Sequence, residues 1–284
     1  MTSPRRPTPT FVTLTSGVRL HYRLQGEPGA PWLVLINGLL SDTTMWAGVL
    51  SGLSSHFRIL TFDCRGQGRS DAPSDGPYRV KQHATDAWEL LQSLGVERPI
   101  LAGLSNGSFI SLELLAAHAG AFRGAMLTSA VPVIDFTMRL QIQHWMQCLA
   151  LGGPLLQFDA AAPFVWGDRF LEQRHGVLRA YQQLVAEGRS DSAGVAGHDP
   201  FHGLRLQLEG LLDWDIRDRL GRIQDPVLLL AGAEDLMTPV WKSSETARLI
   251  PHAQYEVVPC VGHAFPVEAP KDYVARMLRF AAEM

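Results

Sequence analysis

Three residue types, met in one order along the chain, carry the first chemical signal. Ser105 lies in Gly103-Leu104-Ser105-Asn106-Gly107, after an apolar run and before Phe109, Ile110, Leu112, Leu114 and Leu115, which recur at helical spacing. A strand that turns sharply into a helix lifts a serine oxygen above the end of a sheet. Glycines two residues to either side let the two backbones pass closely. A serine hydroxyl is a weak nucleophile until a base takes its proton and a third group orients that base. This elbow predicts the chain order serine, acid, histidine. Asp235, shortly after the apolar run 227–232, fits the acid, and His263, after the apolar stretch 255–258, fits the base. Glu234 is the nearest rival for the acid and Asp135 a more distant one. A developing oxyanion needs backbone N–H donors. One is expected from Asn106, at the start of the helix, and one from Leu39, in the loop after the apolar run 32–36.

Other chemistry-bearing residues read more plainly. Trp145, Met146 and Trp166 are packing residues that are also candidates to line an apolar acyl pocket. His198 and His202 stand four apart, a metal spacing on a helix. Pro200 lies between them and Gly197 and Gly203 flank them, so a loop is expected and no metal. The glycines of Asp63-Cys64-Arg65-Gly66-Gln67-Gly68 lack the Gly-Lys-Ser/Thr ending of a phosphate loop. Cys64, Cys148 and Cys260 are odd in number and scattered, which argues against a disulfide framework. Cys260 reads as a small buried group, and no cofactor is implied.

The elements that must position these groups follow from periodicity. Run 32–36 is continuously apolar, as in a strand buried on both faces, and 57–62, 99–102, 124–129 and 227–232 read as further strands. Helical patterns at 80–94, 239–250 and 273–282 alternate with them, which predicts a mostly parallel sheet covered on both sides. A hairpin is expected around Ser16-Gly17. From about Pro132 to Arg222 the rhythm breaks into helices, the first ended by Gly152-Gly153-Pro154. The expected organisation is a flexible tail at 1–10, a core at 11–131 and 223–284, and a helical cap at 132–222.

Composition bounds the function classes. The 284 residues are 46% hydrophobic and 19% charged, enough for a sizeable core, and the net charge of −3 argues against a nucleic-acid partner. Arg5-Arg6 is not followed by the apolar segment of an export signal. No apolar run approaches the roughly 20 residues that cross a bilayer. A cytoplasmic monomer or homodimer is expected.

Taken together, Asn37-Gly38, Asp63-x-Arg65-Gly66-x-Gly68-x-Ser70, Gly103-x-Ser105-x-Gly107, Gly232-x-x-Asp235 with Pro239, and Gly262-His263 with Glu268-x-Pro270 resemble an α/β-hydrolase over nearly all of the chain outside the cap. Within that superfamily the chain is similar to the 3-oxoadipate enol-lactonase and small carboxylesterase branch. The resemblance implies an eight-stranded, mostly parallel sheet and a serine hydrolase that cleaves a small-molecule carboxylic ester or lactone. It leaves three alternatives: an acyltransferase of the 3-hydroxyacyl type, a C–C bond hydrolase, and a ligand receptor on a hydrolase scaffold. Relatives that are haloalkane dehalogenases or epoxide hydrolases place Asp at the elbow, and Ser105 argues against both.

Overall fold

A computed structural model describes residues 10–186 and 201–284. Eight strands form one sheet in the order β1-β2-β4-β3-β5-β6-β7-β8. The hairpin strands β1 (Thr10–Thr13) and β2 (Arg19–Gln25) are antiparallel to their neighbours. The rest are parallel: β3 (Trp32–Ile36), β4 (Arg58–Phe62), β5 (Ile100–Leu104), β6 (Gly124–Thr128), β7 (Val227–Gly232) and β8 (Gln254–Val258). Two boundaries differ from the sequence expectation. The first strand starts at Thr10, inside the segment expected to be tail; the remaining tail, 1–9, lies outside the described residues. The hairpin turn is also wider, with Leu14 N–H donating to Val18 O at 2.9 Å, because Leu14 and Val18 both bury their side chains.

Side-chain alternation divides the core. Val34 and Ile36 point to one face, under α2 (Val80–Ser93) and α3 (Asn106–Ala117). Leu33 and Leu35 point to the other, against α1 (Ala47–Leu53) and the C-terminal helix described below. Gly95, at φ +62°, supplies the left-handed residue that stops α2.

Between β6 and β7 the chain inserts α4 (Phe136–Val165), α5 (Asp168–Gln173), α6 (His175–Ala186) and α7 (His202–Leu211). The expected stop at Gly152-Gly153-Pro154 is a sharp break: Gly153 adopts φ 70° and ψ −166°, and helix resumes beyond it to Val165. Among the described helices α4 has the length and mean hydropathy to cross a membrane, although polar residues divide its apolar stretches. The break at Gly153 interrupts it, and a second proline, at 163, lies within its last turn. The chain closes with α8 (Val240–Leu249), the short α9 (Phe265–Glu268), which was not anticipated, and α10 (Pro270–Ala282). The last begins three residues earlier than its apolar spacing suggested, with Pro270 at a first-turn position where a missing N–H costs nothing.

Candidate active site

The groups singled out in the sequence gather at the carboxyl ends of β5, β6, β7 and β8. Ser105, between β5 and α3, is held at φ 53°, ψ −116°, a conformation L-residues rarely adopt. The surroundings enforce it. Ser105 N–H donates to Thr128 O at 2.9 Å. A Cβ on Gly107 would lie 2.0 Å from Ile36 O, and one on Gly103 would lie 2.5 Å from Ser108 N. Only glycine permits the strand and helix to cross this closely.

Asp235, buried in the turn after β7, accepts from five donors. Met237 N–H and Thr238 N–H reach Oδ1 at 2.9 and 2.7 Å. Ser129 Oγ, Thr238 Oγ1 and His263 Nδ1 reach Oδ2 at 2.9, 2.7 and 2.9 Å. Burial pushes this carboxyl up, but the facing His263 and the Thr238 donors outweigh it and hold the group below its ordinary value. A carboxylate so placed fixes the proton of His263 on Nδ1 and leaves Nε2 with a lone pair. His263 is anchored by its main chain as well, donating to Val165 O of the insert at 2.7 Å.

Ser105 and His263 line one cavity of about 140 Å³ between the sheet edge and the insert. Leu39, Trp145 and Trp166 line it too, with Gln157, Phe158, Leu208 and Val267 among others. A small side pocket, also lined by Ser105, Leu39 and Trp145, extends toward Phe109 and Ile142. Met146 lines neither; it is partly buried and packs on the hydrophobic core, because the helical turn that aims Trp145 inward rotates its neighbour away. Asn106 occupies the first position of α3, where helical geometry leaves its backbone N–H free. Its side chain does not cap the helix: both polar atoms are buried without a partner among the described residues.

Neither rival for the acid is bonded to His263: Glu234 Oε2 is buried without a partner among the described residues. Asp135 caps α4, accepting from Met138 N–H at 2.9 Å, and pairs with Lys242 at 2.8 Å. The Glu234 side chain lies toward Gly167, whose added Cβ would meet its Oε2 at 2.6 Å. The glycine-containing loop after β4 is a brace. Asp63 accepts from His21 Nδ1 at 2.7 Å and Thr43 N–H at 2.8 Å, and the buried Arg65 pairs with Asp86 at 2.5 and 2.7 Å. Asn37 holds the Leu39 loop by donating to Phe62 O and accepting from Trp46 Nε1. Cys260 is exposed, contrary to expectation, since its turn bulges outward at φ +59°. His198 lies outside the described residues, and His202 hydrogen-bonds with Ser74 and Arg205. Among the described residues no group of three or more His, Cys, Asp or Glu side chains could hold a metal.

Two contributors were missed in the sequence, Ser129 and Thr238. Ser129 follows β6 as Ser105 follows β5, and polar residues just past parallel strands are the signal that would have found it.

A family model described as "alpha/beta hydrolase fold" matches residues 31–270. The chain belongs to this family. As an α/β-hydrolase it is similar to a protein of Stutzerimonas stutzeri named putative carbamate hydrolase RutD, 29% identical over 266 residues that span 93% of this chain and 97% of that one. Among solved structures the hydrolase is similar to the enol-lactonase from Burkholderia xenovorans LB400, with TM-score 0.82 and 27% identity over 96% of this chain and 100% of that chain. It is also similar to Est816, described as an N-acyl homoserine lactone degrading enzyme, with TM-score 0.79 and 25% identity over 94% and 98% of the two chains.

Proposed function

We propose that this hydrolase cleaves a carboxylic ester or lactone through an acyl-enzyme on Ser105. One observation carries the reading: a strained serine and a histidine already bonded to a five-donor carboxylate open onto the same apolar cavity. Nε2 of His263 takes the Ser105 proton as Oγ bonds to the carbonyl carbon. The oxyanion accepts from the N–H groups of Leu39 and Asn106, and Asp235 stabilises the imidazolium without taking its proton. His263 then passes the proton to the departing alcohol oxygen, which in a lactone remains tethered to the acyl group. Water, deprotonated by the same nitrogen, attacks the acyl carbon, and Ser105 leaves with the proton.

Leucine, alanine, valine, phenylalanine and tryptophan walls favour an apolar acyl group. The insert, residues 132–222, acts as the cap that sets acyl size through Trp145 and Trp166. The relatives described as acting on lactones support the ester reading. The carbamate named for the Stutzerimonas protein gives a second one, because a carbamate ester presents the same carbonyl to Ser105. Stopped-flow hydrolysis of p-nitrophenyl esters and carbamates tests both. A p-nitrophenol burst of one equivalent per Ser105, lost in Ser105→Ala, is expected. Steady hydrolysis at an undiminished rate by Ser105→Ala would refute the mechanism. Slow or absent turnover after the burst with carbamates, but not esters, would assign the ester class.

A further inference from the structure

The loop that carries Leu39 does not hold its shape by itself. Leu40 adopts φ 55°, a region that L-residues avoid unless their surroundings enforce it. The enforcement falls on the Gly38–Leu39 peptide. Gly38 O accepts from Ser41 Oγ at 2.7 Å and from Gln67 Nε2 at 2.8 Å, one donor for each of its two lone pairs. A peptide unit is planar and trans, so its C=O and N–H point in opposite directions. Pinning the Gly38 carbonyl therefore aims the Leu39 N–H. Gly38, Leu39 and Ser41 line the cavity with Ser105, whereas Gln67 is buried and lines neither pocket. No described residue accepts from the Leu39 N–H.

Gln67 is itself held. Its Oε1 accepts from Cys64 N–H at 3.3 Å, which leaves Nε2 for Gly38 O. Its main chain is fixed at both ends: its N–H donates to Cys64 O at 2.9 Å, and its O accepts from Ser70 N–H at 3.0 Å. Gly66 at φ 77° and Gly68 at φ 49° bend the chain on either side, and a Cβ on Gly68 would run into the Asp63 carboxylate. The loop between β4 and α2 thus delivers one side chain to the Gly38–Leu39 peptide. Gln67 fills an unspecified position of Asp63-x-Arg65-Gly66-x-Gly68-x-Ser70, so the motif does not announce it.

We propose that Gln67 is a positioning residue for the reaction: with Ser41 it pins the Gly38 carbonyl, so that the Leu39 N–H stands ready where the oxyanion forms. The two bonds also polarise the peptide and strengthen that N–H as a donor. The benefit falls on the transition state and not on substrate binding, because the negative charge develops only as Ser105 adds to the carbonyl. This inference rests on the serine-hydrolase reading above.

The test sets Gln67→Met, which keeps a similar volume without the donor, against the unaltered enzyme on one p-nitrophenyl ester. Its kcat should fall about tenfold or more with KM within about twofold, because the oxyanion forms in acylation and deacylation alike and both steps slow together. An alkyl trifluoromethyl ketone separates this effect from general damage to the site. Ser105 Oγ bonds to its carbonyl carbon, His263 takes the serine proton, and the carbonyl oxygen becomes the oxyanion. Its Ki should rise by the factor by which kcat/KM falls. The corresponding trifluoromethyl carbinol has the same groups but forms no oxyanion, and it should inhibit both enzymes equally. Should Gln67→Met not melt cooperatively, Ser41→Ala decides by the same readings. Unchanged kcat and ketone Ki in the deciding variant, or equal losses of affinity for ketone and carbinol, would overturn the proposal. Failure of the unaltered enzyme to be inhibited by the ketone or labelled by a fluorophosphonate would instead count against the serine-hydrolase reading.

Discussion

Asp235 and Glu234 are adjacent in sequence, yet only Asp235 meets His263. Asp235→Asn removes the anion that orients the imidazole and should lower kcat by roughly 10³- to 10⁴-fold, while Glu234→Gln should change it far less. Steady-state kinetics on one p-nitrophenyl ester checks both, and a reversed order would move the acid to Glu234. EDTA should leave ester hydrolysis unchanged, and a loss of activity restored by a divalent metal would redirect attention to His198 and His202. At this scale Ser105, Asp235 and His263 were legible because their order and neighbours are constrained by the elbow. Ser129 was not, since its place just past β6 becomes a signal only once β6 is known to lie beside the strand that carries the acid. Gln157, which also lines the cavity, was hidden for another reason: which side chains a distant helical arm brings to a cavity is a property of the fold, not of spacing.

The elements show why small residues recur where chains cross. Gly107→Ala would drive a Cβ into the Ile36 carbonyl, and α3 cannot retreat without moving Ser105. A loss of more than about 2 kcal/mol in urea unfolding is expected, against little effect from Gly176→Ala, whose added Cβ meets nothing. The joint between insert and core is built differently. Glu268 Oε2 accepts from Gly167 N–H at 3.2 Å and Gly262 N–H at 3.0 Å, while its Oε1 is buried without a partner among the described residues. Burial raises this carboxyl's pKa above the ordinary 4.5, despite the backbone donors that favour the anion. A raised folded value means the folded state holds the proton more tightly. The stability from this group is therefore complete below about pH 4.5 and is lost as pH rises through the folded value. Glu268→Gln keeps an acceptor and cannot ionise, so its melting temperature relative to the parent should increase between pH 4.5 and pH 8. A constant difference across that range would contradict the linkage. Helix α2 was visible from its buried spacing; α9 is four residues long, too short to show one.

Across the whole molecule, the sheet was the most readable part. Strands β3 to β7 are buried on both faces, and continuous apolar runs have few other uses in a domain of this size. The hairpin was less sharp because β1 is largely exposed, so its side chains carry a weak alternation. Helices were expected across 132–222, and α4 to α7 stand among its described residues, but the long first helix bends at Gly153 and so brings Trp145 and Gln157 to the lining of one cavity, which no local pattern announces. The central claim is that this assembly makes Ser105 alone a nucleophile. It is tested by incubating the protein with a fluorophosphonate, digesting it, and mapping the phosphonyl adduct by mass spectrometry. The account predicts one adduct, on Ser105, and none on Ser105→Ala protein that melts cooperatively. An adduct on another residue, or one that persists in Ser105→Ala, would contradict it.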